Sequence, residues 1–181
     1  MKWMIASDIH GSAFYCEKLL KVLEEEKAEK LVLLGDILYH GPRNALPKDY
    51  DPPKVAELLN AVKDKILAVK GNCDSEVDQM VLQFPIMAEY GVVCVNGKNI
   101  YFSHGHKLDN EPKLPLLQGD ILLCGHTHVP ECTDRGGYTY MNPGSVSIPK
   151  QDSWHGYMIL TEDSLVWKDL EKTVHKEVTL C

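Results

Sequence analysis

Hydrophobic positions change their period between the two halves of the chain. Residues 3–6 form a short apolar run that predicts a strand. Ser12 then stands where a helix cap belongs. Phe14, Leu19, Leu20 and Leu23 fall roughly on one face of the helix that follows, and the polar stretch 24–27 closes it. Residues 31–34 predict a buried strand, and a Pro- and Gly-rich loop covers 39–53. Helix resumes at about Lys54, because Pro53 suits a first turn, with Val55, Leu58, Leu59 and Val62 as its apolar face. Residues 66–69 predict the next strand. In the second half, runs at 92–95 and 99–102 flank Asn96-Gly97, a pair suited to a two-residue hairpin turn. Residues 121–124 read as another buried strand, Gly136-Gly137 joins two more, and 156–161 and 174–180 complete the series. Parallel βαβ units followed by antiparallel strands define an α/β protein, and the strand count fits two sheets packed face to face with helices outside. No repeat or linker interrupts the pattern, so residues 1–181 are expected to form a single domain.

Composition narrows the function. Acidic residues outnumber basic ones, 26 to 19, for a formal charge of -7. That argues against long nucleic acid as a partner, since gripping its backbone needs a basic face. Bound divalent cations would offset part of the acidic charge. The six cysteines are Cys16, Cys73, Cys94, Cys124, Cys132 and Cys181, and no two are spaced C-x-x-C, which removes zinc ribbons and thioredoxin-like motifs. Cys94 and Cys124 sit inside apolar runs and are expected to be buried, reduced thiols. The tryptophans Trp3, Trp154 and Trp167 are expected in the core. Asp8 breaks the N-terminal apolar stretch too early for a signal peptide, and no run is long enough to span a membrane. A reducing cytoplasm is the expected setting.

Metal-liganding side chains follow five of the apolar strands. IAS leads into Asp8-Ile9-His10, LVLLG into Asp36, ILAVKG into Asn72, IYFS into His104-Gly105-His106, and ILLCG into His126-Thr127-His128. In α/β sheets, ligands bind beyond the carboxyl ends of strands, so these groups are expected in one crevice. Each alone is weak: Gly35-Asp36 suits a turn, and Asn72 tolerates left-handed backbone. Together they form a mixed set of carboxylate, imidazole and amide that suits first-row divalent metals. Seven ligands exceed one tetrahedral site and suffice for two metals sharing one carboxylate. There is no phosphate-binding P-loop, dinucleotide fingerprint or nucleophile elbow.

The order D-x-H, G-D, G-N-x-D, H and G-H-x-H resembles the calcineurin-like metallophosphoesterases. The stretches GDILYHGPRNALP, GNCDSEVDQM and NPGSVSIPK are similar to its small bacterial phosphodiesterases. The resemblance implies a two-sheet β-sandwich flanked by helices, in four α/β/β/α layers. It implies that Asp8, His10 and His128 hold one metal, that Asn72, His104 and His126 hold a second, and that Asp36 bridges them. The expected cofactors are two divalent ions, manganese first, with iron, nickel, zinc or cobalt also suited. The expected reaction is hydrolysis of small phosphate esters, diesters above all, by in-line attack of a metal-bound hydroxide with no covalent enzyme intermediate. The alternatives are a phosphomonoesterase or nucleotidase on the same scaffold, or a protein-interaction scaffold like the retromer subunit of this fold. A homo-oligomer, dimer or tetramer, is implied by the resemblance alone.

Cys73 departs from the wider family, where larger members carry His. It either fills space beside the metals or, lacking a cation, turns the site toward diesters. Asp74 is expected either to orient a metal ligand or to begin a surface helix. His106 either touches substrate or serves structure, and Arg43 either clamps phosphate or lies in solvent. The Asn142-Pro143-Gly144-Ser145 loop is expected to shape backbone rather than react. His155 and His175 have no assigned role.

Overall fold

The structure, a computed structural model, describes residues 1–107 and 114–180. Three parallel strands, β1 (Lys2–Ala6), β2 (Lys30–Leu33) and β3 (Ile66–Ala68), are linked by α1 (Ala13–Glu25) and α2 (Pro52–Asn60). After β3 comes α3 (Glu76–Val81), then β4 (Tyr90–Val95), β5 (Lys98–Ser103), β6 (Asp120–Leu123), β7 (Glu131–Asp134) and β8 (Tyr138–Asn142), which build a second sheet. The chain returns to the first sheet through β9 (Gly156–Thr161), β10 (Ser164–Asp169) and β11 (Val174–Thr179). The six-stranded sheet has the order β11-β10-β9-β1-β2-β3, and the five-stranded sheet β4-β5-β6-β8-β7.

The sheets pack face to face, as the strand pattern implies. Ile5, Val32 and Leu34 from the first meet Phe102, Ile121 and Leu123 from the second. The opposite face of the first sheet, with Met4, Leu31 and Leu33, packs against Leu19 and Leu23 of α1 and Val55 and Leu59 of α2. Both faces of β1 and β2 are therefore buried, which is why they read as unbroken apolar runs rather than alternations. The outer face of the second sheet, with Tyr101, Leu122 and Tyr140, is packed by Leu114 and Leu116 among the described residues.

Local signals explain most boundaries. Ser12 caps α1 by accepting from the Tyr15 N–H, and Asp51 caps α2 with prolines in its first turn. The Asn96-Gly97 turn has φ of 50° and 78°, the left-handed pair a tight hairpin needs. Several expectations need correction. Packing of α1 on the first sheet buries Cys16, Leu19, Val22 and Leu23. Phe14 and Leu20 are only half-buried, and Phe14 lies under the Lys48 ammonium at 3.5 Å. Cys94 is exposed, because β4 is an edge strand that turns Val93 and Val95 toward the core and the residue between them outward. Cys124 is buried as expected, and Cys181 lies outside the described residues. Of the tryptophans only Trp167 is fully buried, donating from Nε1 to the Asn142 carbonyl at 2.7 Å; Trp3 and Trp154 are half-buried. Two elements escaped the periodic reading. Strand β10 carries Trp167, and α3 is signalled by the reciprocal cap between Ser75 and Asp78.

Glu26, at the end of α1, joins three strands. It accepts from Lys2 Nζ at 2.8 Å on β1, Tyr157 Oη at 3.0 Å on β9 and Lys168 Nζ at 2.7 Å on β10. Burial works to raise its pKa, but these hydrogen bonds outweigh burial and hold it at about 2, below the ordinary 4.5. A carboxylate with a depressed folded pKa stabilises the fold above the unfolded value and loses that contribution as pH falls toward the folded one. Glu26→Gln is therefore expected to lower stability by about 1–3 kcal/mol at neutral pH. The difference from the unsubstituted chain should shrink as pH falls from about 4.5 toward 2. Urea unfolding at pH 7 and pH 3 measures it, and an equal difference at both would contradict this account.

Candidate metal centre

The parallel strands of both sheets point their carboxyl ends the same way, and the loops leaving β1, β2, β3, β5 and β6 meet there. Backbone bonds lace these loops together: Asp8 N–H donates to the Gly35 carbonyl at 3.1 Å, His10 N–H to Asp36 at 2.9 Å, and Gly125 N–H to His104 at 3.1 Å. The crowding is severe. A Cβ on Gly71 would strike the Asp36 backbone nitrogen and carboxylate, and one on Gly125 would lie 2.7 Å from Asp8 Oδ2. Asp8, His10, Asp36, His126 and His128 all have positive φ, between 50° and 68°. Left-handed backbone at so many non-glycine residues is strain concentrated in one place, as functional sites show.

All seven sequence-predicted ligands gather in this crevice. Asp8, His10 and His128 form one group whose donor atoms lie within 4.8 Å of one another, and Asp36, His104 and His126 form another. Asp36 Oδ2 lies 3.7 Å from His10 Nε2 and 3.4 Å from His104 Nε2, between the two groups. Asn72 Oδ1 joins the second group, 3.0 Å from His104 Nε2.

Hydrogen bonds behind five of these candidate ligands orient them. The Nδ1 atoms of His10, His104 and His128 each lie 2.7 Å from a backbone carbonyl, of Tyr39, Leu34 and Ile148 respectively. A carbonyl only accepts, so each Nδ1 carries the proton and turns an Nε2 lone pair inward. The carboxylates are divided in the same way. Asp8 Oδ2 accepts from His126 N–H at 3.1 Å, while its Oδ1 is buried without a hydrogen-bonding partner. Asp36 Oδ1 accepts from Cys73 N–H at 2.8 Å, leaving Oδ2 to face the histidines.

His10 Nε2 lies 3.2 Å from His128 Nε2 and 3.5 Å from Asp8 Oδ1, and His128 Nε2 lies 3.2 Å from that oxygen. With the Nδ1 protons committed to carbonyls, these atoms present lone pairs to one another. Only a cation, or an extra proton standing in for one, relieves their repulsion. The titration shifts express the same demand. Burial works to raise the Asp8 pKa, yet the facing imidazoles of His10 and His128, which favour the carboxylate when they take up a proton, hold it well below the carboxylate range. Burial works to lower the His104 pKa, yet Asp36 hydrogen bonding and the Asp8 and Asp36 charges push it up to about 9. The donor set thus fits divalent metal ions.

Asp74 is not a surface helix start. It is buried, and it accepts from the backbone N–H groups of Asp36, Ile37 and Gly71 at 2.8, 2.8 and 2.7 Å, tying the loop after β2 to the loop after β3. Ser75 caps α3 instead. The 142–145 loop shapes backbone, as expected. Asn142 Nδ2 donates to the Gly125 carbonyl at 2.6 Å, and the hydroxyls of Ser145 and Ser147 each donate to the Asp8 carbonyl at 2.9 Å. His106 stands beside the cluster, its ring 5.3 Å from His104 and 6.1 Å from His126, with Nδ1 unpartnered. Cys73 and Arg43 line a cavity of about 430 Å³ over the ligands. Lys150 lines it too, and sequence reasoning missed it, because nothing local marks one exposed lysine as facing a site built by distant loops.

Comparison with known proteins agrees with this geometry. The calcineurin-like phosphoesterase superfamily domain matches residues 1–165. The chain is 50% identical over 165 residues to a protein of Escherichia coli K12 named phosphodiesterase YfcE, covering 91% of this chain and 90% of that one. The solved structure of E. coli Yfce, described as a phosphoesterase, superposes with a TM-score of 0.92 at 46% identity and full coverage of both chains. Vacuolar protein sorting 29 of Cryptosporidium parvum shares the fold, with a TM-score of 0.63 at 20% identity over 98% of this chain and 97% of that one.

Because Asp74 holds two ligand loops through backbone bonds, Asp74→Asn replaces one acceptor oxygen with a donor that meets N–H groups head on. The expected result is a folded protein whose manganese affinity falls about 10–100-fold. Titration calorimetry on metal-stripped protein measures this, and unchanged affinity would refute the positioning role.

Proposed function

The chain belongs to the calcineurin-like phosphoesterase superfamily, and from that premise we propose that it hydrolyses phosphate diesters at a pair of divalent metal ions, manganese foremost. The observation that carries the reading is the placement of Asp36 Oδ2 between His10 and His104, with the unpartnered Asp8 Oδ1 beside it. Asp8, His10 and His128 would hold one ion and Asn72, His104 and His126 the other, with Asp36 serving both. When bound, such a pair lowers the pKa of water, grips phosphate oxygens and neutralises charge that builds as phosphorus is attacked. The 50% identical relative named as a phosphodiesterase supports the choice of substrate class. Retention of all seven ligand types supports an enzyme over a scaffold.

The chain's own groups set what that chemistry acts on. The carbonyls of Tyr39, Leu34 and Ile148 keep the three imidazoles in one tautomer and one orientation. Cys73 stands next to Asn72, and burial together with the Asp36 carboxylate pushes its thiol up to about 12. Cysteine carries no positive charge in either protonation state, so it offers substrate none. A monoester carries one more negative charge than a diester near neutral pH and finds no cation at this position, so the site favours diesters. Attack on phosphorus is in line, by hydroxide, with no phosphorylated enzyme. Arg43 contacts the substrate from the cavity wall, and His106 from beside His104 and His126. We take the chain to act in the cytoplasm, in keeping with five free thiols among the described residues. No helix among those residues is long and apolar enough to cross a membrane.

Metal-stripped protein is expected to hydrolyse bis(p-nitrophenyl) phosphate only after manganese is added, and Asp36→Asn should lose more than about 100-fold in kcat/KM. Hydrolysis unaffected by Asp36→Asn, or none with manganese, iron, nickel, zinc or cobalt, would overturn the reading. Restoring a cation with Cys73→His is expected to raise monoester over diester hydrolysis by about tenfold, roughly 1.4 kcal/mol in the transition state. An unchanged ratio would show that Cys73 only fills space.

A further inference from the structure

Two cations line the metal-site cavity without an ion pair among the described residues. Arg43 and Lys150 both line it, and neither side chain has an ion pair or hydrogen bond among the described residues. The chain as a whole carries a net charge of -7, and several basic groups elsewhere pair with acids, as Lys107 does with Glu89 and Lys172 with Glu25. Two cations without an ion pair on the wall of one cavity suit an anionic ligand.

Backbone geometry fixes where they stand. Arg43 is the third residue of a turn closed by the Asn44 N–H to the Gly41 carbonyl at 3.4 Å, with Pro42 restricting the second position. Asn44 Nδ2 also donates to the His40 carbonyl at 2.8 Å. The turn abuts the thiol beside Asn72: a Cβ on Gly41, at φ 77°, would lie 3.1 Å from Cys73 Sγ. Lys150 is tied to a different ligand, its N–H donating to the His128 carbonyl at 3.1 Å. The turn that carries Arg43 thus lies against Cys73, and the segment that carries Lys150 is tied to His128.

Charge and size then restrict the substrate. A diester group brings one negative charge, which two divalent ions already more than match. Arg43 and Lys150 add positive charge that this group does not need and a second anion on the same molecule does. A cavity of about 430 Å³ falls within the range that encloses whole organic ligands rather than a lone phosphate. The guanidinium fork pairs with two phosphate oxygens at once, and the ammonium acts as a point charge beside it. We propose that the substrate is a phosphodiester bearing a second phosphate, which Arg43 and Lys150 hold while the first is cleaved. This rests on the diesterase reading above.

Two esters that differ only in the second anion test it: the p-nitrophenyl ester of thymidine 5′-monophosphate, and the same ester carrying a 3′-phosphate. With manganese-loaded protein, kcat/KM should be at least tenfold higher for the 3′-phosphorylated ester. Lys150→Met and Arg43→Met should each cut that ratio about tenfold, while Lys150→Arg keeps most of it. Titration calorimetry supplies a readout apart from turnover. Thymidine 3′,5′-bisphosphate should bind the manganese-loaded protein about tenfold more tightly than thymidine 5′-monophosphate, and Lys150→Met should abolish the difference. A ratio near one before substitution, or equal losses on both esters in the variants, would overturn the proposal. Hydrolysis of neither ester, with the calorimetric preference intact, would sink the diesterase reading while upholding the anion grip.

Discussion

Lone pairs from five loops are pressed within a few ångströms of one another, and the chain must hold them there against their own repulsion. It does so almost entirely with backbone. Carbonyls of Tyr39, Leu34 and Ile148 take the outer imidazole protons, and N–H groups of His126 and Cys73 take one oxygen from each of Asp8 and Asp36. What remains pointing inward is a set of atoms with nothing to donate. The left-handed backbone at five of these residues is the conformational cost of that convergence.

The two-sheet architecture makes such convergence possible. The first sheet contributes the loops after β1, β2 and β3, and the second those after β5 and β6, so a single crevice receives groups from both. The core between the sheets, from Ile5 to Trp167, keeps their carboxyl ends in register. Outside this core, Glu26 anchors α1 to three strands, and the 142–145 loop braces the Asp8 and Gly125 backbones from behind. Rigidity far from the site and strain within it are two aspects of one design, since strained residues persist only where their surroundings over-determine them.

Around that negative centre the chain places its charges unevenly. In the proposed reading residue 73 withholds a cation that would favour monoesters, while Arg43 and Lys150 line the cavity without an ion pair among the described residues. Selectivity in this reading comes from where positive charge is withheld as much as from where it is supplied.

Much of this was legible along the chain. The kinds and order of the candidate ligands, the Asn96-Gly97 hairpin, the cap at Ser12 and the buried parallel strands are properties of short stretches, set by turn chemistry and apolar runs. Other features were decided only by long-range contact. Ser12 marked the start of α1, but how deeply its apolar residues enter the core depended on the sheet beneath, so Cys16 and Val22 are buried while Leu20 packs at the core's edge and Phe14 is half-buried. Cys94 reads as a core residue until β4 proves to be an edge. Asp74 has the same local surroundings whether it begins a helix or ties two loops; only the approach of the Asp36 backbone, 38 residues distant, decides between them. Lys150 became part of the cavity because its backbone bonds to that of His128. Sequence by itself determined which atoms are offered, because side-chain chemistry and turn preference are local. Tertiary structure alone decided which of them meet, because burial and electrostatic partnership arise only when distant segments share the same space.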